Sequence, residues 1–294
     1  MHPNLTKKEG DLVTKQNGYS YITLTETLFD AGIGDKETCR YEAAILLEHF
    51  CGVRRVMLPL RKEEIFQSES LSLAVEKRCN RYPLQYLVGE WQFCTETYTV
   101  TADCLIPRMD TELLVEAADE LLPENGRFID LCTGSGCIAV SLLVARPDSS
   151  GVAVDLYSRT LALAKHNAER NGVHTRIGFK EADVLSPAFM EDLGSFDLIL
   201  SNPPYIPTKV VETLSPEVKY EPRVALDGGA DGLDFYRVLI TEYPRYLNAG
   251  GCMILEIGYD QGEAIKRLSI EAGMHCEIRK DLGGNDRVVI LIPH

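Results

Sequence analysis

The sequence predicts an α/β protein whose parallel sheet ends in an antiparallel strand pair and is preceded by helices and a β-hairpin. After Leu105, short apolar runs alternate with helical segments, which is typical of a parallel α/β sheet. The alternation stops near the C-terminus, where His275–Arg279 and Arg287–Ile292 are two strand candidates joined by Gly283-Gly284-Asn285-Asp286. From Ile22 to about Pro83, apolar residues recur at helical spacing instead, and this predicts a separate helical part.

The helical part is expected to be a small bundle. Tyr41–Phe50 carries apolar residues at helical spacing with charges opposite them, and Gly52 can end that helix. Ser68–Asn80 repeats the pattern. Between these helices Pro59 interrupts the chain, and the charged cluster Arg61–Glu64 is expected to open a short helix.

The periodicity then changes. Val88–Phe93 and Glu96–Val100 are rich in aromatic and β-branched residues, which predicts a hairpin that links two domains. The strand candidates of the sheet are Arg127–Cys132, Gly151–Leu156, Ile177–Ala182, Phe196–Ser201 and Cys252–Ile257. Helices are expected between them, for example Ser158–Asn171 and Leu233–Leu247. The predicted division is a flexible N-terminus over 1–20, a helical domain over 21–85, a hairpin linker over 86–104 and an α/β domain over 105–294.

Composition limits the classes of function. The 294 residues include 44 acidic and 30 basic side chains, a net charge of -14, whereas a sequence-independent nucleic-acid binder needs the opposite sign. Nine cysteines without a C-x-x-C pair, and scattered histidines, fit neither a disulfide framework nor a metal site. There is no apolar run of about 18 residues and no secretory or transit signal. We expect a cytoplasmic protein with reduced thiols, no metal, no membrane and no direct nucleic-acid partner.

The residues Asn202-Pro203-Pro204-Tyr205 carry the strongest chemical signal. They follow the apolar run Phe196–Leu200, so they lie past the carboxyl end of a strand, where open α/β sheets bind ligands. The prolines make a rigid turn rich in carbonyl acceptors. The Asn oxygen and a neighbouring carbonyl can accept both hydrogens of a planar NH2 group, and the Tyr ring can pack on its flat face. The alternative is a proline-stiffened loop without chemistry; a cofactor loop upstream favours the functional interpretation.

That upstream loop is Cys132-Thr133-Gly134-Ser135-Gly136, which lies between a strand and a helix. Its glycines allow close approach of a ligand to the backbone, and a helix N-terminus favours polar groups. Nineteen residues after Gly136, Asp155 ends the next apolar run and can take both ribose hydroxyls of an adenosine. Asp183 and Val184 follow the third strand, where they can bracket an adenine; a helix N-cap is nearly as good an interpretation of Asp183.

The pattern Gly134-x-Gly136-x-x-Ala139 also fits a dinucleotide site, and the turn decides between the two cofactors. A hydride-transfer enzyme has no use for a turn that binds an NH2 group, whereas a methyltransferase can use it to hold the nitrogen that accepts the methyl group. We therefore expect S-adenosylmethionine across the ends of the first and second strands, its methyl group directed at Asn202, with S-adenosylhomocysteine as product. The residues alone predict methylation of a planar NH2 group.

Further sequence blocks resemble the release-factor glutamine methyltransferases, also called the HemK/PrmC family. The matching blocks are Tyr82-Pro83-Leu84-Gln85-Tyr86-Leu87-x-Gly89 with Phe93, Ile106-Pro107-Arg108-x-Asp110-Thr111-Glu112, Asp130 to Ala139, Asn202 to Ile206, Tyr220-Glu221-Pro222-x-x-Ala225-Leu226-x-Gly228-Gly229-x-Asp231-Gly232-Leu233 and Leu255-Glu256-Ile257-Gly258. The glycine loop is shared by most such methyltransferases and the turn by adenine-N6 methyltransferases, so the other blocks are the specific ones. Cys132 stands where Gly is frequent and Met109 where Pro is common; neither departure removes a group that the chemistry uses.

The resemblance implies a Rossmann-like S-adenosylmethionine-dependent methyltransferase fold. It implies methyl transfer to the side-chain amide nitrogen of the glutamine in the Gly-Gly-Gln motif of peptide chain release factors. By matching position, Cys132–Gly136, Asp155, Asp183, Val184 and Asn202 would line the cofactor, and Asn202–Tyr205 would hold the glutamine amide. The helical domain and the hairpin would help to bind the protein substrate.

The residues alone are also compatible with two other functions. An adenine-N6 methyltransferase would use the same turn, but the acidic balance counts against it. A non-catalytic subunit that binds S-adenosylmethionine would not need an intact turn. Glu221 and Arg223 could contact substrate, although a solvated loop is the more ordinary interpretation, and Glu256 fits a site role and a structural role equally well.

Overall fold

The computed structural model describes residues 18–294. Most of the segment 1–20, which was predicted to be flexible, therefore lies outside the described residues. Its last three residues do not fit that prediction, because Tyr19 is buried and pairs with Phe66, and Ser20 caps the first helix. The chain divides into two compact units, one ending at Val88 and one beginning at Gly89.

The first unit is helical, as predicted. Its elements are α1 (Tyr21–Asp30), α2 (Lys36–Cys51), a 3-10 helix (Arg55–Leu60), α3 (Glu69–Cys79) and α4 (Leu84–Val88). The side chains of Ser20, Asp35 and Ser68 cap α1, α2 and α3, respectively, by accepting backbone N–H groups of the first turn. Gly52 ends α2 in the left-handed conformation, at φ 67°, which a glycine adopts without strain. The expectation of a helix opening at Arg61–Glu64 was wrong: the short helix precedes this cluster and includes Pro59.

Arg78 and Glu42 form a buried ion pair in the core of the first unit. Arg78 on α3 donates to Glu42 on α2 from Nε (2.6 Å) and Nη2 (3.0 Å), and both residues are buried. A bidentate pair satisfies both charged groups with fixed geometry, so it sets the register of the two helices. Removal of one partner would leave an uncompensated buried charge.

The hairpin consists of β1 (Glu90–Phe93) and β2 (Glu96–Thr99), paired antiparallel, and it belongs to the second unit. The buried Tyr98 hydroxyl lies 2.6 Å from Ser141 Oγ, and Asn167 accepts from Thr99 N (2.8 Å) and donates to Thr99 O (3.0 Å). The hairpin is thus held to the second unit by buried polar contacts, whereas we had expected a separate linker over 86–104.

The sheet of the second unit has seven strands. They are β3 (Arg127–Leu131), β4 (Ser150–Asp155), β5 (Ile177–Glu181), β6 (Phe196–Ser201), β7 (Leu247–Glu256), β8 (Met274–Lys280) and β9 (Asp286–Pro293). Their order is β5-β4-β3-β6-β7-β9-β8; β3 to β7 run parallel, and β9 is antiparallel to both its neighbours. The strand order reverses direction between β3 and β6, and such a switch point is where open α/β sheets bind ligands.

Helices cover both faces of this sheet. They are α5 (Glu112–Leu121), α6 (Cys137–Ala145), α7 (Ser158–Arg170), α8 (Thr208–Val211), α9 (Asp234–Glu242) and α10 (Gly262–Glu271). Short 3-10 helices lie at Met109–Thr111, Pro187–Asp192, Val218–Tyr220, Arg223–Ala225 and Pro244–Tyr246. Side chains of α5, α6 and α7 form one core with the sheet, and side chains of α9 and α10 form the other. Within residues 18–294, no helix has the length and apolarity needed to cross a membrane.

Candidate active site

A cavity of about 240 Å³ opens at the carboxyl ends of the parallel strands. Leu131 and Ser201 are paired at the ends of β3 and β6, so the glycine loop and the proline turn begin side by side. The predicted residues that line the cavity are Cys132, Thr133, Gly134, Ser135, Asp155, Asp183, Val184, Asn202 and Pro204. Gly136, Pro203 and Tyr205 are close in sequence but do not line it.

The glycine loop turns sharply because three of its residues have positive φ. The angles are 60° at Cys132, 56° at Gly134 and 80° at Gly136. A Cβ added at Gly134 would meet no atom within 4 Å, whereas one at Gly136 would lie 3.1 Å from the Ala164 Cβ. Gly134 thus leaves room beside the cavity, and Gly136 allows α7 to pack against the loop.

Buried hydrogen bonds hold the loop in place. Thr133 donates from Oγ1 to Asp130 Oδ2 (2.5 Å) and from its backbone N to the Val154 carbonyl (2.9 Å). Asp130 is completely buried on β3, and burial raises the pKa of its carboxyl to about 7. Cys132 lines the cavity, and burial raises the pKa of its thiol, which therefore stays neutral.

Asp155 is fixed by the backbone at the end of β4. Its Oδ2 accepts from Gly134 N (3.0 Å) and its Oδ1 from Tyr157 N (3.2 Å). Each carboxylate oxygen retains a second acceptor position, so the group can still bind hydroxyls in the cavity. Burial raises the pKa of Asp155, and the backbone donors oppose that shift.

Asp183 and Val184 form the far wall of the cavity. Asp183 Oδ1 accepts from Leu185 N (2.9 Å), and the Asp183 carbonyl accepts from Ser186 N (2.9 Å). The aspartate therefore closes a turn and lies beside the cavity as well; it does not cap a helix directly. Val184 is buried, and its carbonyl accepts from the Tyr243 hydroxyl (2.7 Å), which anchors this wall to the core.

The proline turn leaves the sheet directly after β6. Asn202 is half-buried and donates from Nδ2 to Thr111 Oγ1 (3.3 Å). Pro203 and Pro204 are buried, and among the described residues no N–H group donates to the Pro203 carbonyl. The Tyr205 carbonyl accepts from Gln261 Nε2 (3.0 Å). The Asn202 side-chain oxygen and the Pro203 carbonyl are thus among the acceptors that the turn leaves without a donor.

Two glycines support the back of this turn. A Cβ at Gly228 would lie 2.7 Å from the Pro204 carbonyl oxygen, and one at Gly232 would lie 2.3 Å from the Tyr205 carbonyl oxygen. No side chain could fit at either position without moving the turn. The Gly-Gly-x-Asp-Gly block, for which the sequence suggested no contact, is therefore the support of the proline turn.

The position of Glu221 differs from the one expected. We had taken it as a solvated loop residue, but it is buried, accepts from Ile106 N (3.0 Å) and pairs with Arg108. This contact joins two separate sequence blocks into one wall of the cavity. Arg223 is exposed and pairs with Glu212 and with Asp227 (3.3 Å), as expected of a solvated loop.

Glu256 lies behind the turn at the end of β7 and is 2% exposed. Burial raises the pKa of its carboxyl to about 7, against the opposing effects of hydrogen bonds from Thr111 and Asn202 and of the charge on Arg287. Glu256 does not line the cavity itself, but Thr111 and Asn202, which lower its pKa, do. No grouping of three or more His, Cys, Asp or Glu side chains between residues 18 and 294 could hold a metal ion.

Sequence reasoning missed part of the lining. Leu105, Pro107, Tyr157, Ala225 and Phe235 line the cavity, although no role was assigned to them. Pro107 and Ala225 lie in the sequence blocks that resemble the family, and Tyr157 follows Asp155 by two residues. Their closeness in sequence to residues with an assigned role could have indicated that they line the cavity. Phe235 lies on α9 and had no such signal.

Comparisons with known proteins agree with this geometry. Residues 108–215 match the family model described as methyltransferase small domain, and residues 23–89 match the one described as PrmC N-terminal domain. A solved methyltransferase from Pyrococcus furiosus has a TM-score of 0.50 at 18% identity, covering 66% of this chain and 87% of that one. The catalytic domain of hMettl16, solved in complex with MAT2A 3'UTR hairpin 6, has a TM-score of 0.55 at 14% identity, covering 77% and 82%. These similarities confirm the predicted fold class.

Full-length relatives identify the family. The release factor glutamine methyltransferase of Geobacter sulfurreducens is 43% identical over 263 residues, covering 86% of this chain and 89% of the relative. That of Caulobacter vibrioides is 40% identical over 281 residues, covering 92% and 94%. With the glycine loop, the supported proline turn and both family models present in one chain, this protein belongs to the family of release factor glutamine methyltransferases.

Proposed function

We propose that the protein transfers a methyl group from S-adenosylmethionine to the side-chain amide nitrogen of the glutamine in the Gly-Gly-Gln motif of a peptide chain release factor. The observation that carries the proposal is the Asn202–Tyr205 turn, in which Asn202 lines the cavity and the carbonyl of the next residue, Pro203, receives no backbone N–H group. Family membership supports the choice of a glutamine amide in a release factor over adenine, whose amino group the same turn could hold.

The cavity fits S-adenosylmethionine. Gly134 has no side chain, and the space next to it is open, which suits a ligand packed against the loop. The carboxylate of Asp155, fixed by two backbone N–H groups, can accept from ribose hydroxyls, and Asp183 with Val184 offers an acceptor beside an apolar surface for adenine. When bound, the cofactor supplies an electrophilic methyl group on a sulfonium sulfur, with S-adenosylhomocysteine as the product.

The residues of the turn orient the nucleophile. Asn202 Oδ1 and the Pro203 carbonyl accept the two amide hydrogens, which aims the nitrogen into the cavity, and the Tyr205 ring packs on the amide face. Such alignment contributes up to ~7–11 kcal/mol in well-oriented reactions. Burial raises the pKa of Tyr205 to about 12, so the ring remains a neutral phenol.

None of the cysteines that line the cavity is expected to act as a general base. Burial raises the pKa of Cys104 to about 12 and also raises those of Cys132 and Cys137, so the lining cysteines stay protonated. The lining cysteines therefore do not act as bases, and we infer that the main contribution of the protein is orientation of the nucleophile. All nine cysteines are free, which suits a reducing compartment, and we place the reaction in the cytoplasm.

The test is transfer of a tritiated methyl group from S-adenosylmethionine to three purified acceptors: a bacterial release factor, plasmid DNA and tRNA. The proposal expects label on the release factor alone. Label on adenine in DNA or RNA would replace it with the adenine-N6 function. Binding of the cofactor without transfer to any acceptor would favour a non-catalytic subunit.

A further inference from the structure

The amide of Asn202 has two possible orientations, and only one presents its oxygen to a substrate NH2 group. In the structure Nδ2 points to Thr111 Oγ1, at 3.3 Å. Thr111 and Asn202 both line the cavity, and Thr111 lies in the 3-10 helix Met109–Thr111 that leads into α5. The contact therefore joins the proline turn to a second wall of the site.

Glu256 determines the direction of this hydrogen bond. Leu255 on β7 pairs with Ser201 on β6, so Glu256 and Asn202, the next residues, lie side by side. An ionised carboxylate only accepts hydrogen bonds, and hydrogen bonding from Thr111 and Asn202 lowers the pKa of Glu256 against the effect of burial. The hydroxyl hydrogen of Thr111 is then engaged, so its oxygen can only accept from Asn202. Within residues 18–294, Glu256 Oε2 is buried and has no hydrogen-bond partner, so the carboxylate keeps an acceptor position for a neighbouring hydroxyl or amide.

We propose that Glu256 and Thr111 are positioning residues that hold the Asn202 amide with Nδ2 away from the substrate and Oδ1 toward it. The inference rests on the proposed function, because orientation of Asn202 matters only if its oxygen receives an amide hydrogen. Neither residue need touch the reacting atoms. Their effect is to exclude the flipped amide, which would place two N–H groups against the hydrogens of the substrate.

The arrangement makes orientation dependent on pH. A protonated Glu256 can donate to Thr111, whose hydroxyl can then donate to Asn202 Oδ1 and favour the flipped amide. The pKa of Glu256 is about 7, so the productive orientation is lost as pH falls through that value. The other titratable or charged groups that interact with Glu256 are Arg287, Asp110, Tyr205 and Tyr236.

The test measures kcat and KM for methyl transfer to a purified release factor, from pH 6 to 9, which brackets a Glu256 pKa of about 7, in the parent, Thr111→Val, Thr111→Ser and Glu256→Gln. Thr111→Val should lower kcat by about tenfold or more with little change in KM, because it removes the hydroxyl and keeps the shape. Thr111→Ser should restore most of the activity. Glu256→Gln should lower kcat and flatten its decrease below about pH 7.

A matched control separates positioning from folding. Glu96 is a second buried carboxylate of the same unit; it accepts from Ser141 Oγ (2.8 Å) and does not line the cavity. Glu96→Gln should leave the pH profile of kcat unchanged. Asp130 also has a pKa of about 7, so a decrease at low pH that persists in Glu256→Gln would assign it to Asp130 and overturn the proposed role of Glu256.

The outcomes separate this inference from the function on which it rests. No transfer to release factor by the parent would refute the proposed function and the inference with it. An active parent whose Thr111→Val variant has the same kcat would refute the inference alone. A loss in Thr111→Val that Thr111→Ser does not recover would make Thr111 a packing residue and also refute it.

Discussion

At the residue scale, the proposed activity depends on Asn202, the first residue after β6. Its position past a buried strand and before two prolines could be predicted from the sequence, because apolar runs and prolines are local signals. The residues that support it could not. Glu221 and Glu256 look like ordinary acidic residues in the sequence, and only long-range packing buries them, to 6% and 2% exposure of the residue.

Asn202→Ala should lower kcat by roughly a hundredfold or more, because it removes an acceptor that aligns the nucleophile. Affinity for S-adenosylmethionine, measured by calorimetry, should change much less, and Asn202→Asp should retain more activity than the alanine variant since an acceptor remains. Asn248→Ala is the control: Asn248 is exposed, bonds Asp197 (2.8 Å) and does not line the cavity. Equal kcat in Asn202→Ala and the parent would contradict the mechanism.

Asp155→Ala should weaken binding of S-adenosylmethionine by roughly 1.5–3 kcal/mol, the range for hydrogen bonds to a charged group. The variant also leaves the Gly134 N–H without its acceptor, which loosens the loop. Asp148→Ala is the matched control, because Asp148 likewise accepts a backbone N–H, from Asn125 (2.7 Å), but away from the cavity. Calorimetry that gives the same affinity for parent and Asp155→Ala would remove Asp155 from the cofactor site.

At the scale of elements, local patterns predicted the strands and most helices, and the differences have physical reasons. β7 begins at Leu247, five residues before the predicted start, because Leu247 pairs with Phe196 on β6 and the regular pairing resumes after a register shift, at Cys252 with Leu198. The helix predicted to reach Leu247 ends at Glu242, since Pro244 cannot continue it and starts a 3-10 helix. Short 3-10 helices held by tertiary contacts leave no periodic signal.

The Gly228–Gly232 segment gives a prediction at this scale. Gly232→Ala should lower both stability and kcat, because its Cβ would lie 2.3 Å from the Tyr205 carbonyl and displace the turn. Gly172 is the control: its φ of 73° is close to the 77° of Gly232, but a Cβ there meets nothing within 4 Å. Gly172→Ala should lose only about 1–2 kcal/mol for the left-handed conformation and keep kcat. Urea unfolding and steady-state kinetics check both; similar kcat in the two variants would exclude the supporting role.

At the scale of the whole molecule, the cavity and the proline turn lie entirely within the unit that begins at Gly89. The sequence predicted a division near this point, because helical periodicity gives way to β-branched and aromatic runs there. The hairpin was predicted to be a linker, because the long-range contacts of Tyr98 and Asn167 cannot be recognised from local composition. The role of the helical unit in substrate binding stays a prediction.

A chain that begins at Gly89 should therefore fold and bind S-adenosylmethionine with near-parent affinity. Its kcat/KM on an intact release factor should decrease sharply, because binding energy from the helical unit is lost. A short peptide that contains Gly-Gly-Gln is the internal control, since it is too small to use that energy and should be methylated equally by both chains. Equal kcat/KM on the intact factor would show that the helical unit takes no part in substrate recognition.

The most direct test of the central claim is the position of the methyl group on the product. A release factor incubated with the protein and S-adenosylmethionine should gain one methyl group, and fragmentation mass spectrometry should place it on the side-chain amide of the Gly-Gly-Gln glutamine. A factor with that glutamine changed to alanine should gain none. A methyl group on any other residue, or equal methylation of the alanine factor, would contradict the account.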